Sequence, residues 1–214
     1  MAREIVGELL RGAGVTLQIA CGAWLVGSSL GLVLAVLRDL GVPAIKSAQS
    51  ALLIALRSVP QLVILYLLFF GLGAIGIQIN SILAAILALG VTDAAFAAEY
   101  YRAGFMTVPW TQREAGFSLG LSRVGVLARV VIPQTIPFVV PPLLNSFVGL
   151  LKTATLAAAV GAPEILYRGQ NAMSRTGQIF LVMGLVIGLY VVATMPLTRA
   201  VAVLERRMRH YAIG

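Results

Sequence analysis

Apolar residues fall into long runs broken by short polar intervals, and the runs are too long to be the core helices of a water-soluble fold. Five of them reach the length of about 20 residues that a bilayer-crossing helix requires. They are approximately Val15–Leu37, Ala51–Phe70, Ile79–Ala98, Ile136–Val160 and Ile179–Leu197. Small residues recur inside them: Gly22, Gly27 and Gly31 in the first, and Ala84, Ala85 and Ala88 in the third. Such positions let helices approach closely where lipid supplies no hydrophobic driving force. Residues 1–11 set Ile5, Val6, Leu9 and Leu10 against Arg3, Glu4, Glu8 and Arg11, which predicts a short helix lying in the membrane interface. The run that follows is too long for a signal-peptide core, so this segment is expected to be retained.

The longest polar interval, Glu99 to Pro133, has helical punctuation rather than linker composition. Pro109 suits a first turn, Gln112 to Leu119 reads as a short helix, and Gly120 supplies the left-handed residue that ends it. Ser122 is a good N-cap for a second helix, with Val124, Leu127, Ala128 and Val131 on one side and Arg123 and Arg129 elsewhere. Pro133 is expected to stop that helix. The prediction is a helix–Gly–helix hairpin at about residues 105–133, wedged between two membrane segments.

Composition narrows the class. The chain of 214 residues is 59% hydrophobic and only 11% charged, with a mean hydropathy of +0.95. A net charge of +8 would suit nucleic acid, but the basic residues sit at the ends of apolar runs, which is a topology signal instead. With the N-terminus outside, Arg38, Lys46, Arg57, Arg102, Arg113, Arg123, Arg129, Arg199, Arg206, Arg207 and Arg209 all fall on the inner side. Arg3, Arg11, Arg168 and Arg175 remain outside. The predicted C-terminus is therefore cytoplasmic, and so is the hairpin. The lone Cys21 and lone His210 offer neither a disulfide nor a metal cluster. The chain also lacks a Gly-x-x-x-x-Gly-Lys-Ser/Thr phosphate loop.

Several ordered blocks resemble one family. Glu114-Ala115-Gly116, then Gly120, then Ile132-Pro133 is similar to the EAA loop of ATP-binding-cassette (ABC) importer permeases. Ala97-Ala98-Glu99-Tyr100-Tyr101-Arg102-Ala103-Gly104 and Leu151-Lys152-Thr153-Ala154-Thr155-Leu156 resemble the polar-amino-acid subfamily, and the likeness runs roughly from Gly12 to Arg207. It implies an all-α integral membrane protein, a single permease domain over residues 1–214 with five transmembrane helices and a cytoplasmic coupling hairpin. It also implies an importer for polar amino acids or similar zwitterions in a bacterial inner membrane. The chain would catalyse nothing and carry no cofactor; ATP and Mg would sit on a cytoplasmic ATPase dimer. Gln112, Glu114, Ala115, Gly116, Gly120 and Leu121 would couple to that ATPase. A second permease subunit and an extracytoplasmic binding protein complete the implied partners, and the polar stretch Gly161–Gly177 would either meet the latter or merely connect two segments.

The sequence departs from the family pattern in places. Thr111 stands where a Gly commonly precedes Gln112, and Gly116 replaces the second Ala of the motif. Arg57-Ser58-Val59-Pro60 resembles an Arg-Gly-Thr-Pro block, but Ile64 stands where a Gln is frequent, with Gln61 earlier instead. Arg57 is read first as an interfacial anchor and second as part of the substrate path. Lys152 lies about 24 Å from the inner end of its segment at about 1.5 Å per residue, where an unpartnered charge is costly. Thr153 follows it where the family has an Asp, which favours a heterodimer whose sister subunit holds the better site. Thr155, Asn145 and Asp93 complete the candidate path. Asp93 is expected to line the cavity or the subunit interface, with Asn145 as its nearer neighbour, or else to be a hydrogen-bonded structural acid. Glu99 and Arg102 are expected to brace each other. Pro137, Pro141 and Pro142 are expected to break the fourth segment. The rival reading is an ion-coupled secondary transporter using Asp93 and Lys152.

Overall fold

The structure, a computed structural model, describes residues 2–41 and 43–211, with side chains over residues 3–41 and 50–208; Lys46, Arg209 and His210 fall outside the described side chains. Every element among them is helical. Helix α1 spans Ala2–Asp39, α2 Pro43–Ser58, α3 Gln61–Ala74, α4 Ser81–Thr107, α5 Trp110–Ser118, α6 Arg123–Val160, α7 Ile165–Thr176 and α8 Ile179–Tyr211. Helices α1, α4, α6 and α8 are each long and apolar enough to cross a bilayer, and α2 with α3 makes a fifth crossing if that bent pair is counted as one.

The bend corrects the reading of Ala51–Phe70 as one helix. The two halves meet at 97°. Pro60 has no N–H to continue α2 and disfavours helical geometry at Val59. Its own backbone is extended (φ −56°, ψ 134°), so it caps α3 instead, and its carbonyl accepts from the Val63 N–H at 2.9 Å.

The N-terminal segment also differs from expectation. It is not a separate interfacial helix; it is the first three turns of α1. Ile5 and Leu9 are buried against Ile165 and Ala172 of α7 and Val182 and Val186 of α8.

Pro133 does not stop the hairpin's second helix. Residues Leu127–Val131 form a π turn, and α-helix resumes at Ile132. An i+5 pattern skips one residue, so the carbonyl four positions before Pro133 needs no N–H from it. The prolines at 137, 141 and 142 likewise sit inside continuous helix.

The most extensive packing joins α1 to α4. A Cβ at Gly31 would lie 2.6 Å from Ala97 Cβ and 2.8 Å from the Ala98 nitrogen, and one at Gly90 would lie 3.1 Å from the Ala23 carbonyl oxygen. Ile19, Ala20 and Ala23 of α1 share a core with Ala84, Ala85, Ala88 and Leu89 of α4 and Leu150, Leu151 and Ala154 of α6. The small-residue pattern in the sequence thus marks the real interface. Gly31→Val should lower stability by about 1–3 kcal/mol through overpacking, read as a lower melting temperature in detergent. Gly14→Ala, with nothing within 4 Å of the added Cβ, should leave it unchanged or slightly raised.

Candidate functional site

The hairpin is built as its sequence punctuation predicts. Pro109 (φ −55°, ψ 141°) leads into α5, and Gly120 ends it with φ +78°. The Leu121 N–H donates to Gly116 O at 3.2 Å and the Gly120 N–H to Phe117 O at 2.9 Å. This 6→1 and 5→2 pairing is a Schellman closure, which covers carbonyls the helix end leaves open. Ser122 Oγ then accepts from the Gly125 N–H at 3.1 Å and caps α6.

The two faces of α5 differ. Trp110, Glu114 and Phe117, spaced i, i+4, i+7, form the outer stripe. Trp110 is 61% exposed and donates through Nε1 to Glu114 Oε1 at 2.8 Å. Gln112 and Ala115 are also exposed, as is Leu119 at the turn. Gly116 is buried: a Cβ there would lie 2.9 Å from Val126 Cγ2. Its small size therefore serves the joint between the hairpin's own helices, with Leu121 packed beside it. The buried face of α6's first turns is Val126, Leu127 and Val131, packed with Ala35 and Phe105. Val124, expected on that face, is 61% exposed, and Ala128 is exposed as well.

The intramembrane candidates separate into two groups. Asp93 is 5% exposed and faces the chain's own interior. Ser146 Oγ donates to its Oδ1, while Oδ2 lies against Gly27 of α1, where a Cβ would sit 2.5 Å away. The partner is thus Ser146 and not Asn145, and Asp93 lines no open surface of this chain. Asn145 and Lys152 lie seven residues apart on the outward side of α6, with Gly149 between them. That stripe faces away from this chain's core. The hydroxyls of Thr153 and Thr155 donate to the carbonyls of Gly149 (3.1 Å) and Lys152 (2.8 Å) on the same helix.

Arg57 is more than an interfacial anchor. Its Nη2 donates to the Ala95 carbonyl of α4 at 2.6 Å and its guanidinium lies 4.8 Å from the Phe96 ring centroid. It ties the end of α2 to α4 just before the bend, with Gln61 half-buried at the start of α3. Glu99 and Arg102 do brace each other, at 2.6 Å.

One buried acid escaped the sequence reading. Glu164, 0% exposed, caps α7 at the opposite end of the molecule from the hairpin. Its Oε1 accepts from the Tyr167 N–H at 2.8 Å, and its Oε2 from the Tyr190 hydroxyl at 3.0 Å and the Thr16 hydroxyl at 3.4 Å. Gly12 admits the contact: a Cβ there would lie 2.9 Å from the backbone of Glu164 and Ile165. One side chain thereby joins α1, α7 and α8. The only sequence signal was an acid directly before a helical stretch.

With this geometry the comparisons agree. Residues 27–210 match the family described as binding-protein-dependent transport system inner membrane component, and the chain belongs to that family. It is 33% identical over 181 residues to the probable glutamine ABC transporter permease protein GlnP of Bacillus subtilis (strain 168), covering 84% of this chain and 83% of that one. It is 28% identical to the L-cystine transport system permease protein TcyB of the same organism, over 92% of this chain and 84% of that one. A crystal structure of an amino acid ABC transporter with histidines superposes with a TM-score of 0.84 at 29% identity, covering 94% of each chain. The chain is accordingly a multi-pass membrane permease of the ABC importer class.

Burial pushes the Glu164 carboxyl above the ordinary carboxylate value of 4.5, against the lowering effect of the Leu166 and Tyr167 N–H groups and the Tyr190 and Thr16 hydroxyls. The folded state therefore holds a proton that the unfolded state releases, and stability falls as pH rises from 4.5 to the raised value, then levels. Melting of the detergent-solubilised protein should show this limb, and Glu164→Gln should flatten it. Glu164→Ala should cost about 1–3 kcal/mol at every pH by leaving buried donors unpaired.

Proposed function

We propose that this chain is the membrane subunit of an ATP-driven importer for a polar amino acid, docking a cytoplasmic ATPase through α5, the Gly120 turn and the start of α6. The observation that carries the reading is the two-sided hairpin. Its inner face is packed into the bundle, while Trp110, Glu114, Phe117 and Leu119 are presented outward, exposed among the described residues. Glu114 supplies charge and hydrogen-bond acceptors at the docking face, and Gln112 and Ala115 flank it. Gly116 and Gly120 fix the hairpin's shape, and Leu121 closes it. The arginine distribution supports a cytoplasmic hairpin and C-terminus with the N-terminus outside.

The Asn145–Gly149–Lys152 stripe is the part of α6 that meets the translocation path. A second permease subunit opposite it, by preference a related chain that supplies an acidic group, would complete the path. Arg57 and Gln61 shape the neighbouring bend; Thr153 and Thr155 set the local helix geometry. Asp93 acts within the α1–α4–α6 packing. Its burial away from Lys152 leaves the ion-coupled alternative without an acid on the exposed stripe. Nucleotide binding would draw the hairpins together and swing the helices from inward-open to outward-open. A binding protein then delivers the solute, and hydrolysis resets the cycle. The glutamine and L-cystine named in the relatives make those two solutes the first probes.

Purification of the tagged chain in mild detergent, followed by mass spectrometry, tests docking. The wild type should bring an ABC ATPase with it. Glu114→Lys should reduce recovery about tenfold or more, as expected for a reversed charge at a docking anchor. Recovery of the chain alone, with uptake that collapses with the proton gradient and survives ATP depletion, would overturn the reading.

Uptake of labelled L-glutamine and L-cystine into vesicles holding the full transporter tests the path. Lys152→Gln should reduce transport of whichever solute is accumulated while ATPase recovery stays at the wild-type level. Unchanged transport would remove Lys152 from the path.

A further inference from the structure

The hairpin touches three membrane helices by three different kinds of joint. It follows α4 after only Val108 and Pro109, and it continues into α6 through the π turn without a break. Its link to α1 is not covalent. Arg113, on the inner side of α5, donates through Nη1 to both carboxylate oxygens of Asp39 at 3.0 and 2.9 Å. Its Nη2 donates to the Phe105 carbonyl at 2.9 Å. Phe105 lies in the last turn of α4, where a carbonyl has no intrahelical partner, so the arginine closes the end of one helix and grips the end of another. Both charged side chains are mostly shielded, at 13% and 21% exposure. Among the described residues, Arg113 is the residue of α5 whose side chain hydrogen-bonds to other helices.

The chain of charges continues. Arg38, next to Asp39 on the last turn of α1, lies 3.6 Å from Glu99 of α4, whose other oxygen holds Arg102 at 2.6 Å. The end of α1 is thus held by opposite charges on two sides, the hairpin on one and α4 on the other. The apolar contacts around it, Ala35, Phe105, Val126 and Leu127, press α1 and the hairpin together. Such contacts are non-directional and permit sliding, whereas a guanidinium held at once by the Asp39 carboxylate and the Phe105 carbonyl sets register.

We propose that Arg113 is the positioning residue that makes α1 follow the hairpin, with Asp39 as its receiver. Displacement of α5 by the ATPase reaches α4 and α6 through the backbone. It reaches α1 through this pair. Helix α1 carries Gly27 and Gly31 packed on α4, so whether it moves with the hairpin decides whether that interface shifts as one body. This proposal rests on the ATPase-docking reading above.

The test uses the complete transporter purified with its ATPase and follows hydrogen–deuterium exchange with and without ATP plus vanadate. In the wild type, nucleotide should change exchange both in the hairpin, residues 110–126, and at the end of α1, residues 34–41. In Arg113→Gln and in Asp39→Asn the hairpin response should persist. The response at residues 34–41 should fall about fivefold or more, the lower end of couplings between linked sites. Transport per ATP hydrolysed should fall with it, and Asp39→Glu should restore both.

Asp39→Asn keeps the Phe105 bond and guards against a hairpin that no longer folds when Arg113 is changed. A response at residues 34–41 that persists at wild-type size in both variants overturns the proposal. Failure of the wild type to recover any ATPase overturns the docking reading instead, and the two results cannot be confused.

Discussion

The structure depends on the close approach of α1 to α4. Lipid tails are as apolar as leucine, so burial alone gives these helices little reason to associate. What holds them is contact at backbone distance, with Gly31 against Ala97 and Ala98 and Gly90 against the Ala23 carbonyl. This tight seam also makes room for Asp93 beneath Gly27, where any larger residue would strike its carboxylate. Ser146 reaches one oxygen of this buried acid from α6, while the other has no hydrogen-bond partner among the described residues. Packing and polar satisfaction are therefore one constraint in this bundle: the small residues let the backbones meet and also set where polar groups can be housed.

Polar ties then hold α1 in its N-terminal half and at its last turn. In the first, Glu164 gathers Thr16 of α1, Tyr190 of α8 and the first N–H groups of α7. In the second, Arg38 and Asp39 engage Glu99 and Arg113. Each tie uses groups that a helix terminus leaves unpaired or that burial would otherwise penalise. Between them α1 presents mainly small and aliphatic residues to its neighbours, with Trp24 donating through Nε1 to the Leu143 carbonyl of α6 at 2.8 Å.

Much of this was legible in the sequence, because the legible parts rest on local chemistry. Gly120, Ser122 and Pro109 dictate a hairpin by backbone geometry alone, and they sit where that geometry requires. The glycines of α1 announced a close seam. Faces were harder to read. In a soluble helix, burial separates apolar from polar positions, so periodicity reveals the inner side. In a membrane helix both sides are apolar, and a shift of one residue turns the side chain by about 100°. That shift is the difference between Asn145, which faces outward, and Ser146, which meets Asp93. The same one-residue step separates buried Leu127 from exposed Ala128. Glu164 was illegible for another reason: its partners lie 148 and 26 residues away along the chain, and no local pattern announces them.

Proline was the remaining source of error, in opposite directions at two places. At Pro60 an apolar run that looked continuous is broken, because the ring disfavours helical geometry at the residue before it and Pro60 itself is extended. At Pro133 a helix that looked finished carries on, because the π turn shifts the bonding pattern past the missing donor. Side chains assist it: Gln134 Nε2 donates to the Val130 carbonyl at 2.8 Å and the Thr135 hydroxyl to the Ile132 carbonyl at 2.9 Å. The hairpin's second helix and the membrane helix that follows it therefore form one rod. Motion imposed on the hairpin enters α6 along the backbone, while at α1 it passes through side chains, the apolar contacts of Ala35 and the Arg113–Asp39 pair among them.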